Sequence, residues 1–169
     1  MKIKILIPAA FLIVIMMASC LKDTPYMDVS NTAPIIEFGQ SPAQGVSGPF
    51  IYAGDSTAMV DTAVALVLAS PQVEPDTLQT LVSVDPTQVT SYNSNNGTNF
   101  SVLPDSLFTI SDTVNILPGY RVGNIQVTLK FPGLHNYALP LKISASYFLN
   151  NNQQVIVSSN SGTFMWLFP

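Results

Sequence analysis

His135 is the only histidine in the 169 residues. A Ser-His-Asp set needs such a base held in geometry by partners, yet His135 stands in the turn sequence Pro132-Gly133-Leu134-His135-Asn136, and no Gly-x-Ser-x-Gly elbow occurs. Glycoside hydrolysis needs two carboxyl groups facing a cleft. Glu37 and Glu74 are the only glutamates, and Glu74 lies between Pro71 and Pro75 in loop sequence. Asn93–Asn99 is rich in asparagine but lacks the Asp-x-Asp spacing of a calcium loop. Asparagine suits left-handed turns and caps its own backbone, which accounts for it there. No catalytic residue, metal ligand or cofactor site is assigned, and the chain is expected not to be an enzyme. The remaining candidates for ligand contact are the aromatics Tyr52, Tyr120 and Tyr147. Trp166 belongs to the run Phe164-Met165-Trp166-Leu167-Phe168 and is expected in the core.

Cys20 is the only cysteine, so no internal disulfide can form and the fold must rest on its core alone. Lys2 and Lys4 precede the uncharged apolar run Ile5–Met17, and Ala18-Ser19-Cys20 follows. Basic, apolar and small residues in that order form a secretory signal; the run is short for a membrane span of about 20 residues. Met17-Ala18-Ser19-Cys20 resembles the bacterial lipobox, with Met where Leu is commoner. The resemblance implies cleavage before Cys20 and lipidation of its sulfur. One acyl chain anchors marginally and two or more hold firmly. Residues 1–19 are thus expected to be a lipoprotein signal peptide, 20–33 a lipidated cysteine and flexible tether, and 34–169 one domain.

Beyond residue 19, ten acidic side chains face four basic ones (Lys22, Arg121, Lys130, Lys142), a net charge of −6. So few cations argue against nucleic acid, whose binding rests on phosphate neutralisation. Charged residues make up 9% of the chain, with Ser, Thr, Asn and Gln in their place, as suits a secreted β-protein.

The periodicity predicts strands over Pro34–Phe38, Thr57–Ser70, Leu78–Val84, Phe100–Leu103, Leu107–Ile110, Asp112–Leu117, Val122–Phe131, Tyr137–Phe148, Gln153–Val157 and Thr163–Phe168. Val122–Phe131 alternates polar and apolar residues, giving one wet and one buried face. Asp85–Gly97 is the one helical stretch: Asp85 can cap, Pro86 suits the first position and Gly97 the left-handed stop. Val89 and Tyr92 lie three apart and are expected to face the core. With the shortest of these ten stretches serving as strand extensions or loops, seven or eight strands in one domain argue an all-β antiparallel sandwich with one short helix.

Val82-Ser83-Val84-Asp85-Pro86, then Tyr92-Asn93-Ser94-Asn95-Asn96-Gly97-Thr98-Asn99-Phe100 and Leu103-Pro104, resembles the signature of a domain of unknown function at the N-terminus of Bacteroidetes surface lipoproteins. Thr113–Gly119, Tyr137–Ile143 and Val157–Asn160 extend the resemblance over roughly 35–168. It implies an immunoglobulin-like β-sandwich on a lipid anchor, of adhesin-like or glycan-utilisation association. Such domains often precede a glycan-binding or glycosidase module. Five Asp-Ser/Thr triplets resemble the O-glycosylation acceptor of exported proteins of this group, at Ser56, Thr62, Thr77, Ser106 and Thr113. Cys20-Leu21-Lys22-Asp23 resembles in part its surface-export signal, so surface exposure and a periplasm-facing position both stay open. The expected protein is an outer-membrane accessory module whose partners are the membrane and a polysaccharide or another envelope protein. The alternative is an adhesion or assembly subunit that pairs an exposed edge strand, at Thr163–Phe168, with another chain.

Overall fold

In Val122–Leu129 the structure buries Gly123, Ile125, Val127 and Leu129 and leaves Asn124 and Gln126 in solvent, as its alternation requires. The computed structural model describes residues 32–39, 50–52, 59–130 and 134–169. Residues 1–31, with the expected signal peptide, Cys20 and most of the expected tether, and the acceptor candidate Ser56 lie outside the described residues. The strands are β1 (Ile35–Phe38), β2 (Phe50–Ile51), β3 (Val60–Ala69), β4 (Leu78–Val84), β5 (Ser101–Val102), β6 (Phe108–Ile110), β7 (Thr113–Ile116), β8 (Val122–Leu129), β9 (Tyr137–Phe148), β10 (Ile156–Val157) and β11 (Thr163–Phe168). Among the described residues one helix, α1 (Pro86–Asn96), joins β4 to β5, and one 3-10 turn, Asp105–Leu107, leads into β6.

Sheet A runs β10-β1-β3-β8-β6, and sheet B runs β2-β11-β9-β4-β7 with β5 also on β9. The expected sandwich is what the chain forms. Eight of the described strands have three residues or more, and β2, β5 and β10 have two each. These three make the only parallel pairings among the described strands, with β11, β9 and β1; the rest of the ladder is antiparallel. β11 is no free edge: Trp166 and Leu167 pair with Leu139 and Ala138 of β9 and with Phe50 and Ile51 of β2. The strand expected to recruit another chain is therefore already flanked on both sides along that stretch.

Between the sheets, Ile36, Phe38, Val64 and Leu66 of sheet A meet Leu78, Leu139, Leu141 and Ile116 of sheet B, all essentially inaccessible. Each such side chain contributes about 1.5–3 kcal/mol. An aromatic chain crosses this layer: Phe38 to Phe164 (5.7 Å), Phe164 to Trp166 (5.1 Å, edge-on) and Trp166 to Tyr52 (5.7 Å, edge-on). Gly123 sits where β8 passes close to β7; a Cβ there would lie 2.8 Å from Val114 and 2.9 Å from Ile116.

The helix follows its sequence signals. Asp85, extended at φ −119°, accepts from the Thr87 amide, and Gly97 takes the left-handed φ of 64°. The apolar face of α1 does not reach the inter-sheet core. Val89 packs on the outer face of sheet B with Ala138, Met165 and Leu167, and Tyr92, Phe100 and Val102 close the cluster. Pro140 fits the central strand β9 because β4 leaves the sheet there. The Asp85 amide donates to the Pro140 carbonyl (3.1 Å), and the backbone then turns into α1, so no ladder partner requires the missing N–H.

Asn93 ties the helix end to β5. Its amide donates to the Phe100 carbonyl (2.8 Å), and its side-chain oxygen accepts from the Phe100 amide (3.0 Å) and the Thr98 hydroxyl (2.9 Å). The asparagine-rich motif is thus a built turn. Asn93→Asp places a carboxylate against the Phe100 carbonyl; we expect a loss of about 2 kcal/mol in chemical denaturation, with calcium leaving the midpoint unmoved.

One polar pair lies inside the sandwich. Thr80 and Ser146, both buried, share a hydrogen bond of 2.8 Å across β4 and β9. A buried hydroxyl deprived of its partner costs about 1–3 kcal/mol, whereas replacing both can be nearly neutral. Ser146 Oγ also donates to the Gln79 carbonyl (3.3 Å), so Thr80→Val alone should destabilise by about 1 kcal/mol, the low end of that range, and Thr80→Val with Ser146→Ala by less than the sum of the two singles. A denaturation double-mutant cycle reads the coupling, and additive losses would show the pair to be inert.

Candidate functional site

The helix divides the outer face of sheet B. On the β11 side, α1 covers Ala138, Met165 and Leu167. On the β7 side the face is open and polar. Asn115 of β7, Gln79 of β4 and Tyr147 of β9 are direct cross-strand partners, so their side chains share one face in a row. The Tyr147 hydroxyl donates to Gln79 Oε1 (2.6 Å), and Gln79 Nε2 donates to Asn115 Oδ1 (3.3 Å). Gln154 extends the row through its bridge to Tyr147. Tyr147 and Gln79 are half-buried, while Asn115 and Gln154 are exposed. The ring is thus fixed by its own hydroxyl, and amide groups stand to either side of it.

A bulge shapes the same face nearer to α1. The register of β4 on β9 shifts between Leu81 and Val82, which leaves Ser144 as the extra residue. Ser144 and Ser83 share a 2.6 Å hydrogen bond. Lys142, beside them on β9, stands 3.8 Å from Asp85. Bulges twist a sheet locally and re-aim side chains. The face therefore offers amides, hydroxyls and one phenol ring, with a single cation at its margin. Among the described residues, no three His, Cys, Asp or Glu side chains are grouped so as to hold a metal ion.

The sequence candidates go to different places. Tyr52 is half-buried against Trp166 and Phe168 (5.3 Å to the latter ring), part of the core edge. Trp166 is buried, as expected. Tyr120 is exposed in the β7–β8 loop, away from the row. Tyr147 alone of the three tyrosines lies on the open face of sheet B. His135 is exposed, with Nδ1 2.6 Å from the Pro169 carbonyl oxygen. Glu74 accepts from the Ser70 hydroxyl (2.5 Å) within its own loop. Among the acceptor residues, Ser106 and Thr113 are exposed and Thr62 and Thr77 half-buried. Gln79 and Asn115 were not legible as site residues. In the sequence they are polar members of alternating strands, and only the strand register sets them beside Tyr147.

The comparisons with known proteins bear on fold and family. Among solved structures the chain is similar to a "putative carbohydrate binding protein" from Bacteroides ovatus, with a TM-score of 0.54 and 21% identity, over 79% of this chain and 37% of that one. It is similar to a Bacteroides ovatus protein of unknown function (TM-score 0.57, 14% identity, 78% of this chain and 44% of that one). It is similar also to a multidomain protein including DUF1735 from Bacteroides ovatus (TM-score 0.56, 14% identity, 78% and 43%). At these identities the likeness is one of fold, and the chain spans less than half the length of each. No curated protein matches it. The family model described as "-like, N-terminal domain" matches residues 28–147, most of the chain, and the chain belongs to that family of N-terminal domains.

Proposed function

We propose that this chain is a non-enzymatic accessory module of the bacterial cell envelope that holds an uncharged glycan on the open face of sheet B. The row Asn115–Gln79–Tyr147 carries this reading. Sugar hydroxyls are donors and acceptors together, which amides match in kind, and the C–H face of a sugar ring packs on a fixed aromatic ring. Support in kind comes from the fold neighbour described as a putative carbohydrate binding protein. The surface lacks the cations that an acidic polymer would require.

The module is attached through acyl chains on Cys20 after removal of residues 1–19, with 20–33 as tether and 34–169 as the folded body. No helix among the described residues is long and apolar enough to cross a membrane, so on this reading the lipid carries the attachment. The address is the outer membrane, with the domain at the cell surface.

The test is affinity electrophoresis of the Cys20→Ser chain through gels containing neutral polysaccharides. Retention is expected, weakened about tenfold or more by Tyr147→Ala, equivalent to about 1.4 kcal/mol. Tyr120→Ala should leave it unchanged. Equal retention of wild type and Tyr147→Ala on every polysaccharide would remove the site.

We propose also that the accessible acceptors carry O-linked glycan. Ser106 and Thr113 project into solvent, whereas Thr62 has the parity of the buried Val64 and Leu66 on β3. Peptide mass spectrometry of the native protein should find added hexose mass on the Ser106 and Thr113 peptides and none on the Thr62 peptide. Unmodified Ser106 and Thr113 would refute this.

A further inference from the structure

Exposed apolar side chains gather at one end of the sandwich. Val73, Leu117, Tyr120, Val122, Leu149 and Ile156 are 44–66% exposed, six of the eight large apolar side chains so exposed among the described residues. The strand order places all six together. Val73 lies between the end of β3 and the start of β4; Leu117, Tyr120 and Val122 lie where β7 passes to β8. Leu149 follows the end of β9, and Ile156 pairs with Ile35, which pairs with Ala69 at the end of β3. Hydrogen bonds knit these loops into one surface. The Gly119 amide donates to the Glu74 carbonyl (3.1 Å), Arg121 Nη2 to the Gln72 carbonyl (3.2 Å), and the Leu149 amide to the Thr77 carbonyl (3.0 Å). The two carboxylates present are engaged locally: Glu74 by Ser70, Asp76 by the amides of Thr77 and Asn150.

β1 begins at this same end, since Ile35 pairs with Ala69. By sequence only eleven residues, 21–31, separate Cys20 from Thr32. Eleven residues span at most about 40 Å when fully extended, roughly the length of the twelve-residue β9. If Cys20 is acylated, the chain enters the domain at the apolar end, and a tether of this length lets that end reach the lipid. Branched aliphatics with a tyrosine at the tip form the side-chain set that partitions into a bilayer interface. The scarcity of cations, with Arg121 turned onto loop carbonyls, fits a zwitterionic surface rather than an anionic one.

We propose that the end formed by Val73, Leu117, Tyr120 and Leu149 rests on the zwitterionic lipid surface in which Cys20 is anchored, holding the sandwich upright with its polar face turned sideways. This rests on the reading of Cys20 as a lipid anchor. The test uses the acylated full chain in phosphatidylcholine–phosphatidylethanolamine vesicles. A single labelling cysteine is introduced at Leu117→Cys or, at the opposite end, at Lys130→Cys, each carrying an environment-sensitive fluorophore. Brominated lipid should quench the label at 117 at least threefold more than the label at 130. Adding Tyr120→Asp and Leu149→Asp should abolish that difference. Equal quenching at both positions, or none at 117 in a chain that floats with the vesicles, overturns the proposal while leaving the anchor intact; a chain that does not float overturns the anchor and the proposal with it. A label at 117 that stays unquenched by lipid and changes its emission only when other envelope proteins are added overturns the proposal and assigns this end to a protein partner instead.

Discussion

Phe164–Phe168 is apolar at every position, and a strand of that kind needs cover on both faces. Sheet A covers one face, against Phe164, Trp166 and Phe168. The other face, Met165 and Leu167, is closed by Val89 and Tyr92 of α1 together with Phe100, which follows the helix. Burying two such side chains contributes roughly 3–6 kcal/mol, a large share of a typical domain stability of about 5–15 kcal/mol. Much of the sequence between residues 82 and 104 serves that closure in physical terms. Asp85 starts the helix, Pro140 lets β4 leave the sheet, Gly97 stops the helix and Asn93 fastens the returning chain.

The same closure defines the open site. α1 is three turns long and covers only the β11 side of sheet B, so the β7 side keeps its polar row in water. A folding requirement at one edge of the sheet thereby sets how much of the opposite edge remains available to a ligand.

Much of this was legible in the chain. The ranges Leu78–Val84, Tyr137–Phe148 and Thr163–Phe168 follow from turn residues and apolar pattern, and the helix from its caps. The two-residue strands β2, β5 and β10 have no pattern to detect, because a partner strand rather than local preference makes them strands. The side on which α1 packs was also hidden. Val89 and Tyr92 show that the helix has an apolar face, but only the tertiary path sends that face to the outside of sheet B. Tyr52, Tyr120 and Tyr147 looked equivalent as aromatics. They separate only when register puts Tyr147 opposite Gln79, loop geometry exposes Tyr120, and β2 brings Tyr52 onto Trp166.

Charge distribution then limits which ligand such a face can hold. Binding an anionic polymer requires cations, and among the described residues the one on this face, Lys142, is shared with Asp85. Binding a cationic partner would draw on carboxylates, yet Glu74 and Asp76 are turned into their own loops. An amide–phenol row pays neither of these desolvation penalties. Asn115, Gln79 and Tyr147 exchange hydrogen bonds with water as readily as with hydroxyls, so a neutral polyhydroxyl ligand replaces like with like. On the proposed reading, affinity at each unit is small, and retention depends on many units of a polymer meeting many copies of the domain. An uncharged row is suited to that regime, in which a long polymer is kept close without being held so tightly that it cannot move on.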